Sequence, residues 1–353
     1  MRVTNKMLSN NFLRDMNVNL QNMSKLQQQM SSGKEISKPS DDPFKVARVM
    51  QLQSDINANK QYNVNIQNAT STLDTTDTVL GQAGDVMKRL NELLISAGNP
   101  NYGVDQKKAI KDEVNQKISE FSQILNTNFD GKYLFGGTRS TTKPMDTVEM
   151  VSATDPTIKN TRLIYYKTDG TEIVTNPAII TNAADAITAA TNSNEYKQIT
   201  SKINVEISQG VTVDYNVCAS EIIQFPKSDG TLGDLKTLFS KMINHLDGND
   251  DTGAVPDATA TGKLITTDLQ GIKDAMNNLL ALRADVGAKE NRMDSAKANN
   301  EDQTYNMTDI LSKTEDIDIT KKTMEYSIMQ TVYMASLQTS AKVIQPSLLD
   351  YLR

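Results

Sequence analysis

The side chains best suited to chemistry are few and far apart. His245 is the only histidine and Cys218 the only cysteine in 353 residues. A transition-metal site needs several such ligands, and a Ser-His-Asp triad needs a base held by its orienting acid, so the chain has almost no raw material for either. His245 is expected to be a partly exposed structural histidine. Cys218 is expected to be a buried, unreactive thiol, and it can form no disulfide within the chain. Gly136-Gly137-Thr138 lacks the lysine that a phosphate-binding loop sets on its ligand. Asp250-Asp251 and Asp316-Ile317-Asp318 could attract calcium but lack the spacing of an EF-hand loop, so solvated acids are the expectation. Asn22, Asn68 and Asn306 each open a glycosylation-type triplet, but all three fall in segments expected to be helical. No catalytic residue, cofactor or metal is expected, and an enzyme is the least favoured reading.

What the sequence does offer is surface for association. From Ile317 to Arg353, Tyr326, Met329, Tyr333, Leu337, Ala341, Ile344 and Leu348 recur in steps of three or four, which is one stripe along a helix. At the other end, Phe12 or Leu13, Met16, Leu20, Met23 and Met30 repeat in heptad-like steps, with Gln27 the one polar member. A lone helix cannot hide such a stripe from water and is marginal by itself. The two ends should therefore pair, with each other or with other copies. The candidate assembly residues are Leu13, Met16, Leu20, Met23, Met30, Met329, Tyr333, Leu337, Ile344 and Leu348. The methionines among them, with Met324 and Met334, suit packing within one molecule and equally an adaptable surface that meets different neighbours.

Composition agrees with long helices that each bury a narrow stripe. Apolar residues make up 38% and aromatic ones 5%, lean for a compact enzyme. The net charge of -6 provides no basic field for nucleic acid or an anionic membrane surface. Met1 to Leu13 lacks the apolar core and small-residue site of a cleaved signal peptide, and no run is long enough to span a membrane.

The elements follow in order. An amphipathic segment over 1–32 ends at Gly33. After a polar break, Asp42 is placed to cap a helix with Pro43 at its first position. Val46 through Leu94 then keep one apolar face, interrupted at Asn59, Asn63 and Thr76, for a helix of about 80 Å at ~1.5 Å per residue. Gly81 and Gly84 within it either allow close helix approach or are tolerated. Gly98 to Gly103 is a stop, and a second, antiparallel helix is expected over 105–126. Asn128 to Thr138 reads as a small hairpin about Asp130-Gly131. Strand-like pieces follow at Leu163–Tyr166 and, on either side of Ser208-Gln209-Gly210, at Ile203–Ile207 and Val211–Val217. Ala183 to Ala190 is expected to be a short helix and 248–262 a loop. Helix returns at Lys263 and runs through Asn300 towards the terminal helix, which Pro346 limits. The expected fold is mainly α: a long antiparallel helical rod or coiled coil built from both termini, with an inserted β-containing (α+β) outer domain. The expected divisions are terminal coiled-coil segments at 1–40 and 305–353, a rod at 41–138 and 263–304 with a hairpin near 129–138, and a variable insertion at 139–262.

Several stretches resemble a known family. Met1-Arg2-Val3-Thr4-Asn5-Lys6-Met7, Gln29-Met30-Ser31-Ser32-Gly33-Lys34-Glu35-Ile36 and Lys38-Pro39-Ser40-Asp41-Asp42-Pro43 are similar to the start of the flagellin superfamily. Ala335 to Leu352 is similar to its end. Asn126 to Thr138, with Tyr133-Leu134-Phe135-Gly136-Gly137, resembles the hook–filament junction (hook-associated protein 3) branch; flagellins word that segment differently. The likeness covers roughly 1–140 and 265–353. It implies a structural subunit of the bacterial flagellum, lying between hook-associated protein 1 and flagellin and touching copies of itself. It further implies uncleaved export through the flagellar type III apparatus, a cytoplasmic export chaperone, and termini that are disordered in the free monomer and form an inner coiled coil on assembly. A flagellin filament subunit and a coiled-coil surface adhesin are the alternatives.

Overall fold

The computed structural model of the protein describes residues 5–36, 38–99, 101–151, 159–173, 194–253 and 255–343. The first helix, α1 (Asn5–Ser32), ends where Gly33 turns to φ +72°, a conformation that costs glycine little. Oδ1 of Asp42 then accepts from the backbone N–H groups of Phe44 and Lys45, both at 3.1 Å, which caps α2 (Pro43–Ala97) as its sequence anticipates. The α2 helix has 55 residues, about 80 Å at ~1.5 Å each. After the stop, α3 (Val104–Leu125) runs back along it, and Nε of Arg89 donates to Glu113 at 2.7 Å across the pair.

Beyond α3 the strands come in antiparallel pairs: β1 (Asn128–Phe129) with β2 (Lys132–Tyr133), and β3 (Met145–Val151) with β4 (Lys159–Tyr165), where Met145 faces Tyr165. Residues 194–200 are helical. The pair β5 (Asn204–Ser208) and β6 (Val211–Asp214) sets Val205 opposite Val213 and shifts register between Glu206 and Ser208. Next come the short α4 (Ala219–Ile223), then β7 (Gln224–Pro226) paired with β8 (Leu232–Asp234). Asp234 caps α5 (Leu235–Leu246) by accepting from Lys236 N–H at 2.8 Å. A single turn, α6 (Ala260–Lys263), leads into a π-helical turn at Leu264–Asp268 and on to α7 (Leu269–Glu315) and α8 (Ile319–Val343). The fold is mainly α with a β-containing insertion.

The chain divides into two compact units, one of residues 62–299 and one of residues 1–61 with 300–353. In the first, Leu73, Leu80, Met87, Leu90 and Leu94 of α2, Val114, Ile118, Phe121 and Leu125 of α3, and Ile272, Leu279, Val286 and Met293 of α7 form one core. Side chains of the insertion join it. Phe239 of α5 meets Phe121 edge to face at 5.8 Å, and Met145, Tyr165 and Phe225 are buried in the same cluster. Each large side chain so removed from water contributes about 1.5–3 kcal/mol. Arg283 of α7 and Asp77 of α2 pair through two hydrogen bonds of 2.8 and 2.9 Å, fixing the antiparallel register in this unit. In the other unit, Leu52 and Ile56 are the only apolar side chains fully out of water among the described residues. Asn59 there meets Gln303 at 3.5 Å.

Several expectations need correction. His245 is not partly exposed but 2% exposed, held between two carboxylates. Asp251 and Asp316 are not simply solvated: each accepts from a lysine, and Asp251 from two. The second hairpin ends at Asp214, short of Val217: the Asn216 side chain accepts from the Ile203 N–H at 2.7 Å, Val217 is buried, and Cys218 is the N-cap of α4. The helix α5 went unread, although Leu235, Leu238, Phe239, Met242, Ile243 and Leu246 have helical spacing behind an Asp cap. The expected helix at 183–190 and Pro346 lie outside the described residues.

Candidate assembly interface

In α1 Ser9, Phe12, Met16, Asn19, Met23, Leu26 and Met30 are half-buried, stepping three and four alternately. In α8 Lys322, Tyr326, Met329, Tyr333, Ser336 and Ser340 are half-buried with steps of four and three, and Glu325 is half-buried beside them. These two rows face each other in antiparallel order: Asn22, Leu26 and Gln29 lie across a cleft from Lys322, Glu325 and Met329. The chain thus packs its own α1 against its own α8.

A joint closes this pair where α1 ends and α8 begins. Ile317 N–H donates to Gly33 carbonyl at 3.1 Å and Glu35 N–H to Glu315 carbonyl at 2.6 Å. Nζ of Lys34 reaches Asp316 at 2.7 Å and Glu315 at 3.1 Å. Gln29, almost wholly buried, donates to Glu35 carbonyl at 2.7 Å, and the Glu35 carboxylate meets Lys45 at 2.9 Å. The hydrogen bond to Asp316 raises the Lys34 ammonium above its ordinary value. The same bond holds the Asp316 carboxyl below its ordinary value, and the bond from Lys45 does so for Glu35.

The candidate residues separate into two sets. Met16, Met23, Met30, Met329 and Tyr333 line the α1–α8 seam. Leu13 (43% exposed), Leu20 (38%) and Leu337 (43%) stand outside it. Ile344 and Leu348 lie outside the described residues. The heptad series through Leu13, Leu20 and Gln27 shares Met16, Met23 and Met30 with the observed one, and the alternate positions differ by one residue because α8 packs on the Phe12–Asn19–Leu26 side. Sequence reasoning missed Asn19, Ser336 and Ser340, since polar and small members of a seam give no hydrophobic signal, and missed Leu26 because the expected series ran one residue away, through Gln27. Met324, Ile328, Val332 and Met334, each 44–59% exposed, leave further apolar surface open around the rest of α8. One molecule therefore covers only one side of each terminal helix. Among the described residues no group of three His, Cys, Asp or Glu is gathered for a metal, and no helix is long and apolar enough to cross a membrane.

Residues 3–140, comprising α1 to β2 and the Gly-Gly corner, match the bacterial flagellin N-terminal helical region. Residues 269–352, comprising α7 and α8, match the bacterial flagellin C-terminal helical region. The chain belongs to the bacterial flagellin family. Within that family it is 23% identical over 337 residues to flagellar hook-associated protein 3 of Escherichia coli, covering 95% of each chain. It is 31% identical over 140 residues to a flagellin of Clostridium tyrobutyricum, covering 39% of this chain and 37% of that one. The crystal structure of flagellar hook associated protein-3 from Legionella pneumophila has the same fold, with a TM-score of 0.54 at 16% identity, over 75% of this chain and 98% of that one. The insertion between the two flagellin-family regions is matched by neither.

Proposed function

We propose that this chain is a structural subunit of the bacterial flagellum that forms the hook–filament junction, between hook-associated protein 1 and the first flagellin subunits. The apolar side chains that α1 and α8 leave outside their shared seam carry the reading: Leu13, Leu20 and Leu337, and on another side of α8 Ile328 and Val332, gain their missing contacts when further copies or neighbouring subunits close over them. The match with a hook-associated protein 3 fits the junction, and the Tyr133-Leu134-Phe135-Gly136-Gly137 run favours it over a flagellin. On this reading the protein has no enzymatic role. It leaves the cell uncleaved through the flagellar type III apparatus and is escorted beforehand by an export chaperone.

A strain lacking the protein tests the assignment. A junction subunit predicts that flagellin is still exported and is shed into the medium as monomer. The second reading, a flagellin, draws on the clostridial match, and predicts that the deletion removes the filament subunit itself. The assembly surface is tested separately with Leu20→Asp and Leu337→Asp. Each places a charge where a neighbour's apolar surface closes, at a cost of several kcal/mol, so assembly should be lost while the helical circular dichroism of the free chain is unchanged. Assembly of either variant would overturn the proposed surface.

A further inference from the structure

Two hairpin tips in the insertion share one sequence and one geometry. Tyr165-Tyr166-Lys167-Thr168-Asp169-Gly170-Thr171-Glu172-Ile173 and Phe225-Pro226-Lys227-Ser228-Asp229-Gly230-Thr231-Leu232-Gly233 align on Lys, then Thr or Ser, then Asp-Gly-Thr. In each, the lysine N–H donates to the threonine carbonyl at 2.9 Å. The glycine N–H donates to the lysine carbonyl, at 3.0 Å in the first copy and 2.9 Å in the second, and the glycine turns to φ +89° and +80°. Oδ1 of the aspartate accepts from the N–H and the hydroxyl of the threonine two residues on, at 3.0 and 2.5 Å in the first copy and 2.8 and 2.6 Å in the second. Such an Asx turn shapes the tip by itself. The flanks match too: Tyr166 faces Glu172, Pro226 faces Leu232, and Tyr165 and Phe225 are both buried.

The turn accounts for Asp, Gly and Thr in the motif but not for the hydroxyl of Thr168 or Ser228, which its own bonds do not use. In both copies this residue gives its N–H and its hydroxyl to a carboxylate carried by a helix. Thr168 donates both to Oε2 of Glu195, at 3.1 and 3.3 Å. The Ser228 N–H donates to Oδ2 of Asp274 at 3.1 Å and its hydroxyl to Oδ1 at 2.6 Å. Hydrogen bonds to an ionised acceptor are about twice as strong as those between neutral groups. The two acceptors differ in residue type and in helix, Glu195 in residues 194–200 and Asp274 in α7. Each leads to a different flagellin-family region. Nη1 of Arg139, within residues 3–140, donates to Glu195 at 2.6 Å. Asp274 itself lies within residues 269–352, where Gln270 also donates to it at 2.8 Å.

We infer that the insertion is mounted through two copies of one carboxylate clasp: a self-supporting Asp-Gly-Thr turn that holds out the N–H and hydroxyl of the preceding Ser or Thr to a helix carboxylate. One copy fastens the insertion to the N-terminal family region by way of Glu195 and Arg139, and the other to the C-terminal region at Asp274. The turn and the clasp are separate parts of the motif. Its second residue is therefore interchangeable between the copies as long as it carries a hydroxyl, and each clasp holds without the other.

Amide exchange read residue by residue on the full chain tests this directly, because the Thr168 and Ser228 N–H groups are themselves half of each clasp. Asp274→Ala should speed exchange of the Ser228 amide by about tenfold or more, the weight of a hydrogen bond to a charged group, and leave the Thr168 amide as it was. Glu195→Ala should do the reverse. Ser228→Val, which removes the hydroxyl at nearly the size of threonine, should speed exchange at residue 228, and adding it to Asp274→Ala should bring little further loss, since the two changes break one contact. The exchange of residues between copies, Thr168→Ser with Ser228→Thr, should leave both amides as protected as in the wild type. A Ser228 amide indifferent to Asp274→Ala, a loss spread equally over both hairpins, or an exchanged variant that loses protection would each overturn the inference. If an alanine variant does not fold, the exchanged variant still decides, because it keeps every hydroxyl and must keep both clasps.

Discussion

Gly137 shows how much a single residue can carry here. Its φ is +58°, and a Cβ added to it would lie 2.4 Å from the Gln198 carbonyl oxygen and 2.5 Å from that of Ile199. Backbone atoms cannot move aside as a side-chain tip can, so Gly137→Ala should destabilise the chain by about 2 kcal/mol or more, read as a lower urea midpoint. Gly84, inside α2, is the counter-case: nothing lies within 4 Å of an added Cβ, and Gly84→Ala should raise stability by up to about 1 kcal/mol through helix propensity. Cys218 is wholly buried, and burial pushes its thiol up to about 11. A maleimide at pH 8 should leave it unmodified in the native chain and label it fully in denaturant. The Gly136-Gly137 pair was visible in the sequence as a motif. Its reason was not, because Gln198 and Ile199 approach from sixty residues away, and no local pattern records such a neighbour. His245 is the same case: nothing near it in sequence announces Asp268.

At the scale of elements, the joint between α1 and α8 has a pH dependence whose sign follows from its ion pairs. The Asp316 and Glu35 carboxyls are held below their ordinary values, so they add stability above about pH 4 and lose it as the pH falls through the folded values. Lys34, raised, contributes below about pH 10.4 and loses its contribution only above that, so it leaves the acid limb untouched. These groups are partly exposed and screened, so the effect is about 1 kcal/mol or less. The Glu35 and Ile317 amides, which bond across the joint, should exchange a few times faster at pH 3 than at pH 6 after correction for intrinsic rates. Lys34→Met should abolish the share of that difference that comes from Asp316 and leave the share that comes from the Glu35–Lys45 pair. Elements with a long periodic stripe or a local cap, such as α2 behind Asp42, were legible in the sequence. The α5 helix has both signals but is twelve residues long and follows two short strands, and its apolar run blends into theirs. The register of α1 needed its partner, since Leu13 and Phe12 serve a heptad equally well until α8 chooses a side.

Across the whole molecule, burial is distributed unevenly. Residues 62–299 share one continuous core in which the insertion takes part, so removing 139–262 would strip Phe239 from Phe121 and expose α3. The other unit has Leu52 and Ile56 as its only fully buried apolar side chains among the described residues, and the α1–α8 seam contains only half-buried ones. Local stability follows the apolar surface removed from water. In the free chain, amides of α1 and α8 should therefore exchange on the order of 100-fold faster than those of α3 and the first half of α7. On assembly, closure of Leu20, Val332 and Leu337 by neighbours should slow α1 and α8 by a comparable factor while α3 changes little. Peptide-level hydrogen exchange on monomer and polymer measures both. If α1 and α8 were already as protected as α3 in the monomer, their seam would be complete without neighbours, and the apolar side chains outside it would lose their role as the surface on which the polymer is built.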